Sequence, residues 1–201
     1  MAVTFKNKDV YAGRLYCFHT QPTQRDVMGY KLSGVAAGDV VPQGTPLVAN
    51  ADNKTASIAK YAKVTKKVST TKFIVDQLNF LTVGTKIFAS GVENPTLSEI
   101  SAINTATNEI TLKAANTQLD AGKIMVEGVS DNDIVKAKDI PNRIVARTET
   151  MQNINQTISA TWQAVAIQEV LDYPTEWLNT TSFPGTTLLS GCPHIVFIKQ
   201  G

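Results

Sequence analysis

The sequence predicts a mainly β fold, with a small antiparallel barrel or sandwich module in the middle and β-rich segments on both sides of it. The first observation behind this prediction is that apolar residues in the middle of the chain come in short bursts, separated by Gly, Pro, Asn and Ser. The second is that turn-forming residues also follow one another quickly between residues 35 and 64, which favours strands over helices. The bursts are Phe73–Val75, Ile87–Phe88, Leu97–Ile103, Ile110–Leu112 and Ile124–Val126.

These patterns divide the chain into three predicted segments. Residues 1–71 are an N-terminal arm followed by β hairpins. Residues 72–129 are the small β-barrel module. Residues 130–201 are a linker followed by a C-terminal β-rich segment.

The N-terminal segment begins with residues 1–20, which are either a short strand or an arm that a neighbouring molecule would have to cover. Residues 21–34 are predicted to be a loop with one short strand. Two hairpin strands follow, Val40–Val41 and Pro46–Val48. A turn at Pro42–Gly44, with Pro at its second position, separates them, and Asn50–Lys54 forms the next turn.

The stretch 57–72 fits two kinds of secondary structure. Tyr61, Val64 and Val68 fall at helical spacing, but the Thr and Ser residues around them are poor helix formers, so a strand is predicted. Within the middle module, Asn104–Asn108 is predicted to be a hairpin loop. Leu119–Gly122 is predicted to be the turn into the closing strand.

The C-terminal third begins with a polar, charged stretch, residues 129–142, which is predicted to be a linker ending at Pro141. Residues 151–171 fit a helix stripe and a strand face equally well, and their Thr and Ser residues favour a long strand pair. Four further elements are predicted: a strand at Arg143–Arg147, a short helix at Thr175–Leu178 with Thr175 as N-cap, a turn at Phe183–Gly185, and a strand at His194–Lys199 buried in a sheet.

Composition limits the classes of function. The 201 residues suffice for one or two domains, and a hydrophobic fraction of 43% permits a sizeable core. The charged fraction of 18% is below the usual ~25%, so uncharged polar residues must cover much of the surface, as they often do where a protein contacts another protein. A net charge of +2 gives no reason to expect nucleic acid or an anionic membrane as a partner.

The first residues contain no apolar stretch typical of a signal peptide, and no apolar run approaches the ~20 residues that span a bilayer. We therefore expect synthesis in a cytoplasm. Cys17 and Cys192 are then expected to be reduced, buried thiols.

No metal or cofactor site is predicted. Two cysteines and two histidines could in principle provide four zinc ligands: Cys17, His19, Cys192 and His194. However, only one residue separates the two members of each pair, whereas zinc sites have two to four residues between paired ligands. The sequence Asp131–Asp133 opens like a calcium loop, but the pattern then fails because Val135, Lys136 and Asn142 stand where a third ligand, Gly and Glu are needed.

No catalytic residue is predicted either, and we expect that the protein is not an enzyme. The glycines around 38–44 do not make a phosphate-binding loop, and no nucleophile-elbow motif is present. His19 and His194 are the only histidines, and neither lies in a recognisable catalytic signature.

Two groups of residues can be interpreted either as ordinary structural features or as binding surfaces. Lys60, Lys63, Lys66, Lys67 and Lys72 form either a solvated face or a contact for phosphate or an acidic protein surface. Three aromatic residues near the C-terminus belong either to the core or to an interface: Trp162, Trp177 and Phe183.

Three stretches resemble auxiliary proteins of tailed-bacteriophage heads, namely decoration (cementing) proteins and head-fibre base proteins. The first is GDVVPQGTPLVANADNKTASIAKYAKV, which is similar to their hairpins. The second is LTVGTKIFASG followed by LSEISAINTATNEITLKAANTQLDAGKIMVEG, which looks like small barrel modules of phage virion proteins. The third is AVAIQEVLDYPTEWLNTTSFPG with the final IVFIKQ, which is similar to C-terminal regions of phage head proteins.

The resemblance implies a structural virion protein, made in the bacterial host cytoplasm, that binds the outer surface of a capsid and bridges capsomers. Its implied partners are the major capsid protein and other virion proteins, and it implies a homo-oligomer, with a trimer as a common form. Two alternatives remain open. One is a tail, collar or portal-associated virion protein, and the other is a carbohydrate-binding attachment module.

Overall fold

The computed structural model describes residues 17–19, 22, 24–180 and 186–199. It is 46% strand and 4% helix, which confirms the mainly β fold class. The described residues fall into two compact units. The first unit takes those of 1–59, 141–171 and 177–201, and the second takes 60–140 and 172–176.

The strands of the described residues are short and follow one another closely. In chain order they are β1 (Tyr30–Ser33), β2 (Val40–Val41), β3 (Pro46–Asn50), β4 (Thr55–Ile58), β5 (Tyr61–Lys67), β6 (Lys72–Val75), β7 (Lys86–Ala89), β8 (Ser98–Asn104), β9 (Glu109–Leu112), β10 (Ile124–Asp131), β11 (Ile134–Ala137), β12 (Arg143–Val145), β13 (Glu149–Thr150), β14 (Thr157–Ile158), β15 (Ala160–Thr161), β16 (Ala164–Ile167), β17 (Leu178–Thr180), β18 (Thr187–Leu189) and β19 (Cys192–Ile198). One helical turn, α1 (Gln168–Leu171), and one 3₁₀ turn, Thr175–Trp177, complete the described elements.

The first unit contains a nearly closed six-stranded sheet in the order β14-β1-β4-β3-β12-β15. Its two end strands are consecutive in the chain and only Ser159 separates them. The stretch 157–161 therefore pairs with β1 through its first half and with β12 through its second half. The β1–β4 pair is parallel, whereas the other neighbours in this sheet run antiparallel.

The rest of the first unit is a four-stranded sheet and a short strand pair. The sheet has the order β16-β19-β18-β17, and its β16–β19 pair is parallel. Phe18 extends it through a bridge to Ala166. Strands β2 and β13 form a separate antiparallel pair.

The second unit is an antiparallel barrel. Its sheet has the order β11-β10-β5-β6-β9-β8-β7, and β10 also pairs with β7. Met125 lies opposite Ala62 on one side and opposite Ala89 on the other, so β10 closes the ring. Closure leaves β11 as the one strand outside the ring, paired with the second half of β10.

Alternating apolar residues on these strands fill the barrel. Phe73 and Val75 point inward from β6, and Ile110 and Leu112 do so from β9, each of them at most 3% exposed. This period of two is the pattern expected of strands with one buried face. The barrel begins with β5, ahead of the predicted segment 72–129, because β5 supplies the partner that β10 and β6 require.

The predicted linker at 129–142 is wrong over most of its length, although the boundary between the two units lies beside Pro141, where the linker was predicted to end. Strand β10 continues to Asp131, and β11 runs back beside it from Ile134. Asn132 and Asp133 connect the two strands with φ values of 50° and 63°. Both positions of a type I′ hairpin turn need positive φ, which Asn and Asp tolerate, so the polar stretch encodes a turn.

The predicted long strand pair at 151–171 is also wrong. Three short strands occupy this stretch, β14, β15 and β16, and α1 follows them. The change of strand partner at Ser159 divides this stretch.

The predicted helix at Thr175–Leu178 is a single 3₁₀ turn, Thr175–Trp177. The amide of Thr175 donates a hydrogen bond to the hydroxyl of Ser90 (3.0 Å).

Other local predictions are confirmed. Residues 57–72 form strands, and the turn formers at Asn50–Lys54, Asn104–Asn108 and Leu119–Gly122 connect strands as expected. Strands are confirmed at Tyr30–Ser33, Val40–Val41, Pro46–Asn50, Arg143–Val145 and Cys192–Ile198, the last lying between two neighbours in its sheet. The turn after β2 closes between Pro42 and Thr45, so Pro42 takes its first position and not its second. The predicted hairpin of β2 and β3 is wrong, because β2 pairs with β13 and β3 pairs with β4 and β12. The predicted Phe183–Gly185 turn and most of the N-terminal arm lie outside the described residues.

Candidate functional site

The tight turn Asp26–Gly29 in the first unit carries the most exposed apolar side chains. Val27 is 78% exposed and Met28 is 80% exposed, the two highest values among the large apolar residues that the structure describes. A single exposed apolar residue is ordinary on a protein surface. Two adjacent ones at the tip of a fixed turn are a candidate contact point.

The backbone of this turn is strained. The amide of Gly29 donates a hydrogen bond to the carbonyl of Asp26 (3.3 Å), which closes a four-residue turn. Met28 has a φ of 68° at the third position, where type II turns prefer Gly or Asn. A left-handed conformation at a residue with a side chain costs about 1–2 kcal/mol, and here it displays an apolar side chain to solvent.

Glycine is required at the fourth position. Gly29 has a φ of 65°, and a Cβ there would lie 2.3 Å from the carbonyl oxygen of Ile158. The amide of Asp26 donates to the carbonyl of Ala160 at 3.0 Å. Both ends of the turn are therefore fixed against the stretch 157–161, which pairs first with β1 and then with β12.

An ion pair fixes the turn from inside. Nε of Arg143 lies 2.7 Å from Oδ2 of Asp26, and the two side chains are 20% and 11% exposed. Burial opposes the charge of Arg143, but the hydrogen bond and the charge of Asp26 outweigh it and raise the pKa of Arg143. Burial, followed by the nearby carboxylate of Asp26, raises the pKa of the neighbouring Tyr30.

A cleft of about 270 Å³ adjoins the turn, and Arg25, Arg147 and Glu149 contribute its charged side chains together with Asp26. Nε of Arg147 lies 3.2 Å from Oε1 of Glu149, and that oxygen also accepts a hydrogen bond from the amide of Ser159 (2.9 Å). Both carboxylates of the cleft thus have a cationic partner. Exposed Arg25 donates a hydrogen bond from Nε to the carbonyl of Pro22 at 3.3 Å, and it has no carboxylate partner among the described residues. The four charged side chains that line the cleft sum to zero, and Arg143, which pairs with Asp26, brings one surplus positive charge to this region.

The cysteine–histidine pairs are not brought together. Both thiols are buried and neither is joined in a disulfide, as expected for reduced cysteines, and both histidines are exposed. Cys17 accepts a backbone hydrogen bond from Ile167, which lies opposite Ile198, six residues from Cys192 along β19. At ~3.3 Å per residue the two cysteines are about 20 Å apart along the strand direction, which is too far for one zinc ion. Among the described residues, no three His, Cys, Asp or Glu side chains cluster as metal ligands.

The lysine-rich stretch makes local ion pairs within the second unit. Lys63 lies 2.6 Å from Asp172, Lys67 lies 2.9 Å from Asp120, and Lys72 lies 3.4 Å from Glu109. Neighbouring carboxylates offset these charges, which favours the interpretation of this stretch as a solvated face. The other charged motif, Asp131–Asp133, is the hairpin turn described above.

The aromatic residues near the C-terminus are mostly part of the fold. Trp177 is 1% exposed. Trp162 is half-buried and packs edge-to-face against His194 with ring centroids 5.5 Å apart. Phe183 lies outside the described residues. A carbohydrate site needs exposed aromatic faces, so buried Trp177 cannot serve as a sugar-binding residue of an attachment module.

Sequence reasoning missed the Asp26–Gly29 turn as a site, because it assigned residues 21–34 to a loop with one strand. The signal was present in Val27-Met28-Gly29: two apolar residues precede a glycine within an otherwise polar stretch. A glycine beside a turn is common and does not by itself indicate a site. That Val27 and Met28 are exposed can be seen only in the folded structure.

Comparisons with known proteins place the chain in no family. No family model, no curated protein and no solved structure matches it. Among the described residues, no helix is long and apolar enough to cross a membrane.

Proposed function

We propose that this protein is a structural component of a bacteriophage head that binds the outer surface of the capsid and bridges neighbouring capsomers, as decoration and head-fibre base proteins do. Its partners are the major capsid protein and other copies of itself. It acts through the surface that it covers and not through bond-making chemistry.

The observation that carries this proposal is the pair Val27 and Met28, which a strained and tightly fixed turn holds out in solvent. Covering an apolar side chain of this size stabilises a contact by about 1.5–3 kcal/mol. The turn is already ordered by Gly29 and by the Asp26–Arg143 ion pair, so little conformational entropy is lost when it docks. Repeated at symmetric positions on a shell, a contact of this strength would hold many subunits in place.

The folding of the stretches that resemble phage proteins also supports the proposal. Within the first stretch β3 and β4 pair as a hairpin, and the second stretch forms β7–β10 of the closed barrel. Barrels have few free strand edges, which suits a protein that must remain soluble until it meets the shell. The low charged fraction of 18% reduces the desolvation penalty of a large interface.

The test compares shells assembled with and without this protein. Both kinds should form, but shells without it should open at a lower temperature and at a milder osmotic shock, because the contacts between capsomers are fewer. Adding the purified protein back to bare shells should restore their resistance. Equal resistance of bare and decorated shells would contradict a cementing role.

A further inference from the structure

We infer that Arg25 and the Asp26–Gly29 turn together dock a segment of the shell protein that carries a carboxylate beside an apolar side chain. This inference rests on the proposed function and specifies the chemistry of the partner. It concerns one surface of the first unit, built from the exposed tip of the turn and from the adjoining cleft.

The apolar half of the recognition is the tip. Val27 and Met28 are 78% and 80% exposed, so a partner can cover nearly all of both side chains. Val27 is β-branched and therefore stiff at χ1, whereas Met28 is flexible and adapts to an irregular surface. Together they favour an apolar side chain of the partner over a polar one.

The charged half is Arg25. Arg143 neutralises Asp26, and Arg147 lies beside Glu149, so the carboxylates of the cleft are compensated within the first unit. Arg25 is exposed at the same cleft, and its described polar contact is with the carbonyl of Pro22. A guanidinium presents a planar fork of donors that fits a carboxylate with two parallel hydrogen bonds. Charge complementarity therefore selects an acidic partner.

The size of the cleft limits what enters it. A volume of about 270 Å³ is below the 300–1,000 Å³ of typical small-molecule pockets. It accommodates one or two side chains of a peptide segment that lies across the turn. Because the cleft adjoins the exposed tip of the turn, we assign it to a protein segment that covers both.

The experiment measures binding of the purified protein to bare shells by co-sedimentation over a range of protein concentrations. Met28→Gly should weaken binding about tenfold or more, since it removes a buried apolar side chain. Its Tm should be no lower than that of the original protein, because Gly relieves the positive φ of 68°. Loss of binding in a variant that is at least as stable cannot be ascribed to misfolding.

Arg25→Gln should weaken binding about 3- to 30-fold, and added salt should weaken binding of the original protein more than that of this variant. Matched controls come from the second unit. Val83→Ser removes an apolar side chain that is 60% exposed, and Lys86→Gln removes an exposed cation. Both controls should bind like the original protein.

The outcomes separate the two proposals. If the original protein does not bind shells at all, the proposed function fails. If it binds and Met28→Gly and Arg25→Gln bind equally well, the docking inference is overturned while the proposed function stands. If these variants instead dissociate a homo-oligomer in sedimentation velocity and leave binding per subunit unchanged, the surface joins copies of this chain, which also overturns the inference.

Discussion

Nε of Arg143 lies 2.7 Å from Oδ2 of Asp26, although the two residues are 117 positions apart in the sequence. Arg143 begins β12, and Asp26 is the first residue of the exposed turn. The guanidinium also donates through Nη1 to the carbonyl of Asn142 at 2.8 Å. This largely buried pair connects the turn to β12, and it fixes the base of the proposed docking surface.

Replacing one partner of this pair should destabilise the first unit. Asp26→Ala leaves the largely buried Arg143 without its carboxylate, and we expect a loss of about 2–3 kcal/mol in the free energy of unfolding. Urea denaturation measures it. The double variant Asp26→Ala/Arg143→Met should lose at least about 1 kcal/mol less than the sum of the two single variants. Additive losses would show that the pair contributes no coupling.

Alanine at Gly29 should be far more harmful than alanine at Gly34. The two glycines have φ values of 65° and 76°, but a Cβ at Gly29 would lie 2.3 Å from the carbonyl oxygen of Ile158, whereas a Cβ at Gly34 meets no atom within 4 Å. Gly34→Ala should therefore cost about 1 kcal/mol for the backbone conformation alone. Gly29→Ala should cost about 3 kcal/mol or more. Equal losses in urea denaturation would refute the close approach at Gly29.

Truncating the barrel core should destabilise the second unit. Ile110 is fully buried in its centre. Ile110→Ala is expected to lose about 2–5 kcal/mol through lost burial and the cavity that remains. Val83, 60% exposed, is the matched control, and Val83→Ala should change stability by no more than about 0.5 kcal/mol. A loss below about 1 kcal/mol at Ile110 would contradict a well-packed barrel.

The second unit should gain stability at neutral pH from Asp139→Asn. Burial raises the pKa of Asp139, and the charge of Glu127 adds to the rise, against the opposing charges of Lys138 and Lys60. Asp139 therefore favours the folded state below its ordinary pKa of 3.8, and this contribution is lost as the pH rises through the raised value. The variant should have a higher Tm than the original at pH 7 and an equal Tm at pH 3.

Asp131→Asn is the control, and we expect it to change the Tm at pH 7 in the opposite direction. The hydrogen bond from Lys136, and then its charge, lowers the pKa of Asp131. Asp131 thus stabilises the fold above its ordinary pKa, and the effect is lost as the pH falls through the lowered value. This variant should have a lower Tm than the original at pH 7, with a difference that shrinks on acidification. The same sign for both variants at pH 7 would mean that these electrostatic assignments are wrong.

Local patterns predicted many strands and turns but not the closure of the sheets. The alternation in β6 and β9 is visible in the sequence because one face of each strand is buried. Closure depends on Met125 lying opposite both Ala62 and Ala89, a long-range pairing that no local period encodes. The partner change at Ser159 is equally non-local, which is why a long strand pair was predicted where short strands occur.

The candidate site was the least predictable part of the molecule. Val27 and Met28 have the composition of core residues, and only their fixed position on a strained turn makes them exposed. The stretch around Asp131 misled for the opposite reason: its charge suggested a linker, although Asn132 and Asp133 suit the positive φ values of a hairpin turn. In both stretches the structure follows from the backbone conformation and not from the hydrophobicity of the side chains.

A density map of the intact virion that contains this protein tests the central claim most directly. The account predicts copies of the chain on the outer face of the head, at positions between capsomers, with Val27 and Met28 in contact with the shell. A head surface that carries no copy, or copies confined to the tail or collar, would contradict it.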